Sequence, residues 1–211
     1  MNRNFARTAL GLAALTAVAV TTTACSSSGG DSKKPVADIK ALSGQTTQVT
    51  LDAGFTSALT TLKLTPGVTG TAKLTNGTLS FPITGGHVTY YKPGTVSPFV
   101  QGEIMHQGSG ISLTAGSTKV ELTNFDIDPG ASKLYGDVSV NGTQAASHAY
   151  LFYLDGTTLK GLQTSGDTAM LEGTKVEISP DAAGLLDKTF KTEAVKANLL
   201  VGIAKITVNT K

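Results

Sequence analysis

The chain has 211 residues, 17 basic against 15 acidic side chains, one cysteine and no tryptophan. So even a balance, with the lysines dispersed, excludes an electrostatic case for binding nucleic acid. The single Cys25 excludes intrachain disulfides and a thiolate zinc site. A chain without such staples must bury a core, and this one is long enough to do so. Its abundance of Gly and Thr favours strands and tight turns over helices.

Met1 to Arg7 carries Arg3 and Arg7 and no acid, and "TALGLAALTAVAV", residues 8 to 20, has no charge. A basic start, a short apolar run and small residues after it mark an export signal. The run is too short to span a bilayer, which takes about 20 apolar residues. Without Arg3 and Arg7, basic and acidic side chains are equal in number. The segment "TTAC" ends on Cys25. It resembles the lipobox of bacterial lipoproteins, although Thr22 stands where Leu is usual. The resemblance implies cleavage after Ala24, lipid attachment (diacylglyceryl and palmitate-type acyl chains) at Cys25, and a place on the outer face of the cell membrane. An ordinary signal-peptidase cut is the alternative and would leave Cys25 a free thiol. The expected organisation is residues 1–24 as signal peptide, 25–44 as lipidated N-terminus and flexible tether, and 45–211 as one β-rich domain. "SSSGGDSKK" has the Ser/Gly composition of a flexible coil.

From Gln45 the pattern is mostly strand. "LDAGFTSALTTLKL" reads as a helix capped by Asp52, with Phe55, Leu59 and Leu62 on one face. Asn76-Gly77, Asn141-Gly142 and Asp155-Gly156 are hairpin signals, because these pairs supply the positive φ of type I′ turns. In "TKVELTNFDID", Val120 and Leu122 share one parity while Phe125 and Ile127 share the other, which predicts a β-bulge near Asn124. "HAYLFYL", residues 148 to 154, is apolar on both parities and predicts a strand buried on both faces. "SPDAAGLLDKTF" carries Ser179 as N-cap and Pro180 at the first helical position. A faint repeat relates residues 49–74 to 176–206 through "GTAKL" and "GIAKI". The expected fold is mainly β: an antiparallel sandwich or flattened barrel with two short helices.

Chemistry-bearing residues are few. His87, His106 and His148 are the three histidines, and none has metal-ligand spacing. His106 shares parity with Val100 and Ile104 and meets a Gly-rich turn, so it is a candidate ligand-binding residue, with Tyr90 and Tyr91 as companions. No nucleophile elbow or phosphate loop is present. Ser109 lies in a Gly-rich hairpin. Asp126 and Asp128 share one strand face without a calcium loop's distal Glu. Glu103 and Asp137 form a candidate carboxylate pair of unspecified separation.

"GEIMHQGSGISL" followed by "KVELTNFDID" resembles the core of HtaA-type domains, the β-rich envelope modules of actinobacteria involved in haem uptake. The resemblance covers residues 99 to 138 and lacks that family's Trp-Gly start. It implies haem as a cofactor, with His106 near it. The first reading is a non-catalytic, lipid-anchored module, not an enzyme, that binds a small molecule or envelope component. No metal and no nucleic acid are expected, and the oligomeric state stays open. The alternatives are haem or metal-linked nutrient capture, and a hydrolase with its site built from distant loops.

Overall fold

A computed structural model describes residues 33–211; the signal segment and Cys25 lie outside the described residues. In chain order the strands are β1 (Ala37–Ile39), β2 (Gln45–Leu51), β3 (Thr65–Gly70), β4 (Lys73–Thr75), β5 (Thr78–Pro82), β6 (Gly85–Tyr90) and β7 (Val100–Ala115). They continue as β8 (Thr118–Asp128), β9 (Lys133–Val140), β10 (Thr143–Asp155), β11 (Gln163–Ser165), β12 (Thr168–Ile178) and β13 (Leu200–Asn209). Helix α1 (Ala53–Thr61) follows β2, and α2 (Pro180–Phe190) follows β12. One antiparallel sheet runs β1-β6-β7-β8-β9-β10-β12-β13-β2-β5-β4, with β3 beside β7 and β11 beside β12. It curls into a half-barrel around a single core. The mainly β antiparallel fold with two helices is therefore as expected, built as one flattened, curled layer.

Strand pairing begins at Ala37, inside the stretch read as tether: β1 pairs with β6, and Leu42 is buried in the core. The Asn pairs turn as their chemistry demands. Asn76-Gly77 joins β4 to β5 with φ of 50° and 73°, and Asn141-Gly142 joins β9 to β10 with 51° and 79°. Asp155-Gly156 does not make a hairpin, because the Asp155 carboxylate is committed elsewhere. It accepts from Thr157 N at 2.8 Å and from Lys175 Nζ at 3.0 Å, which closes a local turn and pins the strand end to β12. A loop then carries the chain to β11.

The bulge is at Asn124, with φ 53° and a register shift between Thr123 and Asp126. Its side chain ties the neighbouring strands, accepting from Gly108 N at 3.0 Å and donating to Asp137 Oδ2 at 2.9 Å. Val120, Leu122, Phe125 and Ile127 are all buried as a result. A second shift, between Tyr150 and Phe152, corrects the reading of "HAYLFYL". Leu151 and Phe152 are both buried while Tyr153 is 39% exposed, so an extra residue, rather than a second covering layer, accounts for the apolar run.

Both helices cap as read. Asp52 Oδ1 accepts from Gly54 N and Phe55 N, and Ser179 Oγ accepts from Ala182 N and donates to Tyr150 O. Such caps contribute about 1 kcal/mol each. The faint repeat does not extend to pairing: "GTAKL" spans a turn and β4, whereas "GIAKI" lies within β13. Antiparallel order puts α1 and α2 at one end of the sheet. The loops 91–99, 129–132 and 156–162, the start of β1 and the C-terminus lie at the other.

Candidate ligand cavity in the curl of the sheet

Alternation along β12 and β13 turns Ala169, Leu171, Ala204, Ile206 and Val208 toward the concave side. Two of these are alanines, and small side chains facing a curled sheet leave volume unfilled. A bulge at Gly173 (φ 115°) then turns Thr174 and Val176 onto the same side. Gly173 is needed there, since a Cβ would sit 2.3 Å from Thr158 O of the overlying loop. That loop is fastened by Thr158 Oγ1 to Gly173 O at 2.6 Å and Lys160 N to Glu172 O at 2.8 Å.

The result is a cavity of about 560 Å³ lined mainly by apolar side chains. Its size falls within the roughly 300–1,000 Å³ of small-molecule sites. Ser97, Ser132, Thr157 and Thr210 add hydroxyls at the loop end, and Thr47, Thr164 and Thr174 along the walls, while Asp38 and Asp155 border the cavity with their carboxylates turned to the other face, toward Thr89 and Lys175. Among the described residues, no Lys, Arg or His lines it. Asp38 is held below the usual carboxylate range first by the hydrogen bond from Lys40, then by Thr89. Asp155 is held low first by Thr157, then by Lys175.

His106 does not face this cavity. It lies on β7 and is 1% exposed, against a separate apolar void of about 40 Å³. Nδ1 is 3.3 Å from Phe125 O and Nε2 is 2.8 Å from Thr47 Oγ1. A carbonyl only accepts, so Nδ1 carries the proton and Nε2 accepts from the Thr47 hydroxyl. Burial lowers the imidazole pKa to about 4, so the ring is neutral at physiological pH. The edge of Phe81, with centroids 6.4 Å apart, completes the packing. Thr47, Val49, Ile127, Leu134 and Val176 line both spaces.

Tyr90 does line the large cavity, buried and edge-to-face with Phe99 at 5.8 Å. Tyr91 is half-buried, donates its N–H to Phe99 O and is not in the lining. Cys25 lies outside the described residues. Residue patterns missed β1 and the loop over Gly173; the alternation of Ala37 and Ile39 with Asp38 is the signal that could have placed β1 in the sheet.

A cluster of titratable residues, Glu103, Asp126, Asp137 and His148, sits on the convex face. Asp126 alternates with buried Phe125 and Ile127 and so points away from the cavity. Burial first, and the neighbouring Glu103 carboxylate second, push its pKa up to about 6. Glu103 thus lies beside Asp126, whereas Asp137 accepts from Asn124 and from His148 N at 3.0 Å. The His148 ring stacks on Tyr135 at 4.5 Å, and Lys133 Nζ lies 4.8 Å from the centre of the Tyr150 ring. None of the cavity's lining belongs to this group.

No family model matches the chain, and no curated protein matches it. Solved structures do. The C-terminal domain of HtaA from Corynebacterium glutamicum aligns with a TM-score of 0.56 at 14% identity, covering 80% of this chain and 98% of that domain. This chain has the fold of that domain. The N-terminal domain of the same protein aligns with a TM-score of 0.43 at 10% identity, over 81% of this chain and 98% of the other. A domain-swapped dimer of a variant of the C-terminal domain gives 0.49 at 15% identity, over 75% and 92%.

Proposed function

We propose that this protein is an exported, lipid-anchored, non-catalytic module that holds a small apolar or amphipathic molecule inside the curl of its sheet. The observation that carries the reading is the cavity of about 560 Å³, apolar within and polar at one end. The lipobox-like "TTAC" supports the anchor. Val36 N donates to Tyr90 O at 2.8 Å, so the described chain enters the sheet at the loop end of the cavity.

The test is binding of the uncharged fluorophore N-phenyl-1-naphthylamine to the purified chain. Saturable fluorescence enhancement is expected. Two variants should weaken it by roughly tenfold or more, about 1.4 kcal/mol. Ala204→Phe fills the interior. Gly156→Trp narrows the open end, and a Cβ at Gly156 meets nothing within 4 Å, so the fold tolerates it. Absence of enhancement, or equal binding by both variants, overturns the reading.

A second reading, haem capture, draws on the HtaA-like motif around His106 and on Tyr90 in the cavity lining. His106 does not fit the group, because both ring nitrogens are already bonded in a buried site. Tyr90 remains as a candidate contact. A Soret shift on adding haem that is lost in Tyr90→Phe would favour this reading over the first.

A further inference from the structure

We infer, resting on the binding reading above, that the cavity takes a lipid with an unbranched alkyl chain, whose tip passes the cavity floor and fills the void beside His106. The order of the lining residues shows that the void continues the cavity toward the helix end. On β7, Ile104 lines the cavity alone and His106 the void alone. On β13 the same change runs from Ala204 to Val201, and on β8 from Ile127, which touches both, to Phe125, which touches only the void. Between the two spaces stands a collar of the five shared side chains, drawn from β2, β8, β9 and β12 round the curl. Thr47, Val49, Ile127 and Val176 are β-branched and stiff at χ1, whereas Leu134 is not and can swing aside.

Two properties of the void select an alkyl tip. The first is that nothing in it holds a water. Its polar side chains are His106 and Thr47, and both ring nitrogens are spent on Phe125 O and Thr47 Oγ1. A water there would find at most a lone pair of Thr47, short of the partners it needs, whereas apolar space of this kind takes apolar atoms. The second is width. The void of about 40 Å³ is far smaller than the roughly 150 Å³ that holds a benzene ring. Phe81, Phe125 and Phe152 pack edge-to-face around it, with centroids 5.3 and 6.4 Å apart, which fixes that width. The end of an alkyl chain fits, and a ring does not. Each methylene taken out of water tightens binding about fourfold, so a tip in the void adds to what the body of the ligand gains above the collar.

The experiment titrates straight-chain primary alcohols, octanol to hexadecanol, against N-phenyl-1-naphthylamine bound to the purified protein. Affinity is expected to rise about fourfold per methylene and to level off at the length whose tip fills the void. Val201 and Ile111 line the void and not the cavity. Val201→Ile and Ile111→Phe narrow the void, and each should shorten the levelling length by at least about one carbon. Val201→Ala widens it and should lengthen that limit. Ile111 is only partly buried, so Ile111→Phe carries the test if Val201→Ile does not fold. The shortest alcohols are the internal control, since a tip that stops above the collar is indifferent to these substitutions. An alcohol of matched length ending in a phenyl ring should bind at least about tenfold more weakly than its straight-chain counterpart. If the levelling length is the same in the parent and the narrowed variants, or the phenyl end binds as well as the alkyl end, the tip does not enter the void and the inference falls while the cavity reading stands. If the probe itself does not bind, the cavity reading fails first and takes the inference with it.

Discussion

The two faces of the curled sheet are made by the same strands and carry opposite chemistry. On the concave face, Phe125, Ile127 and Leu134 surround space, and the buried titratable ring, His106, is held neutral. On the convex face, the alternate residues Asp126, Tyr135 and Asp137 crowd together with Glu103 and His148, and Asp126 is driven toward protonation. Alternation with period two separates volume from charge, and the bulges at Asn124 and near Leu151 keep the separation intact where the sequence loses phase. The contrast places the neighbouring acids Glu103 and Asp126 on the side without the cavity.

Three measurements sharpen that contrast. The largest effect is expected at the concave core, where Leu151 is 1% exposed and its Cδ1 lies 2.8 Å from where a Cβ on Gly136 would stand. Leu151→Ala should cost about 4 kcal/mol in urea unfolding. A loss under about 1 kcal/mol would show that the packing there is loose.

His106 gives the next. Its folded pKa of about 4 lies below the ordinary value of 6.5, so the unfolded chain binds more protons between those pH values. Its contribution is complete above about pH 6.5, falls as the pH drops and bottoms out near pH 4, a loss of about 3 kcal/mol. Urea midpoints across that window, compared with His106→Gln, should differ in slope in the sense that the variant lacks this acid sensitivity. Parallel profiles would mean that the ring is not buried neutral.

The smallest effect belongs to the convex face. Asp126 has a raised pKa and a buried, unpartnered Oδ1. Ionising it in the folded protein is therefore costly above about pH 6, and the cost disappears below the ordinary value of 3.8. Asp126→Asn should stabilise the fold at neutral pH, by under about 1 kcal/mol because much of the site is open to solvent. Destabilisation at neutral pH instead would reveal a bond made by the ionised form.

Much of the fold was legible in the residues. Caps at Asp52 and Ser179, turns at two Asn-Gly pairs and the phase flip at Asn124 are local signals, settled within a few residues by backbone sterics and hydrogen bonding. Asp155-Gly156 misled because its carboxylate answers to Lys175, which is distant in sequence. The candidate site was less legible. Tyr90 was singled out and does line the cavity, but His106, a candidate ligand contact beside glycines, is turned inward in phase with buried Ile104, under Phe81 and against Thr47.

By itself, then, the sequence determined what each stretch of backbone can do: which segments extend, where they turn, and how the two helices start. Tertiary structure alone decided where empty volume falls and that the charges take the other side of the sheet. A cavity is a difference between the space that curvature encloses and the side chains that fill it. Here that difference is made by Ala169 and Ala204 on paired strands, a bulge at Gly173, and a loop and a first strand closing in from opposite ends of the chain.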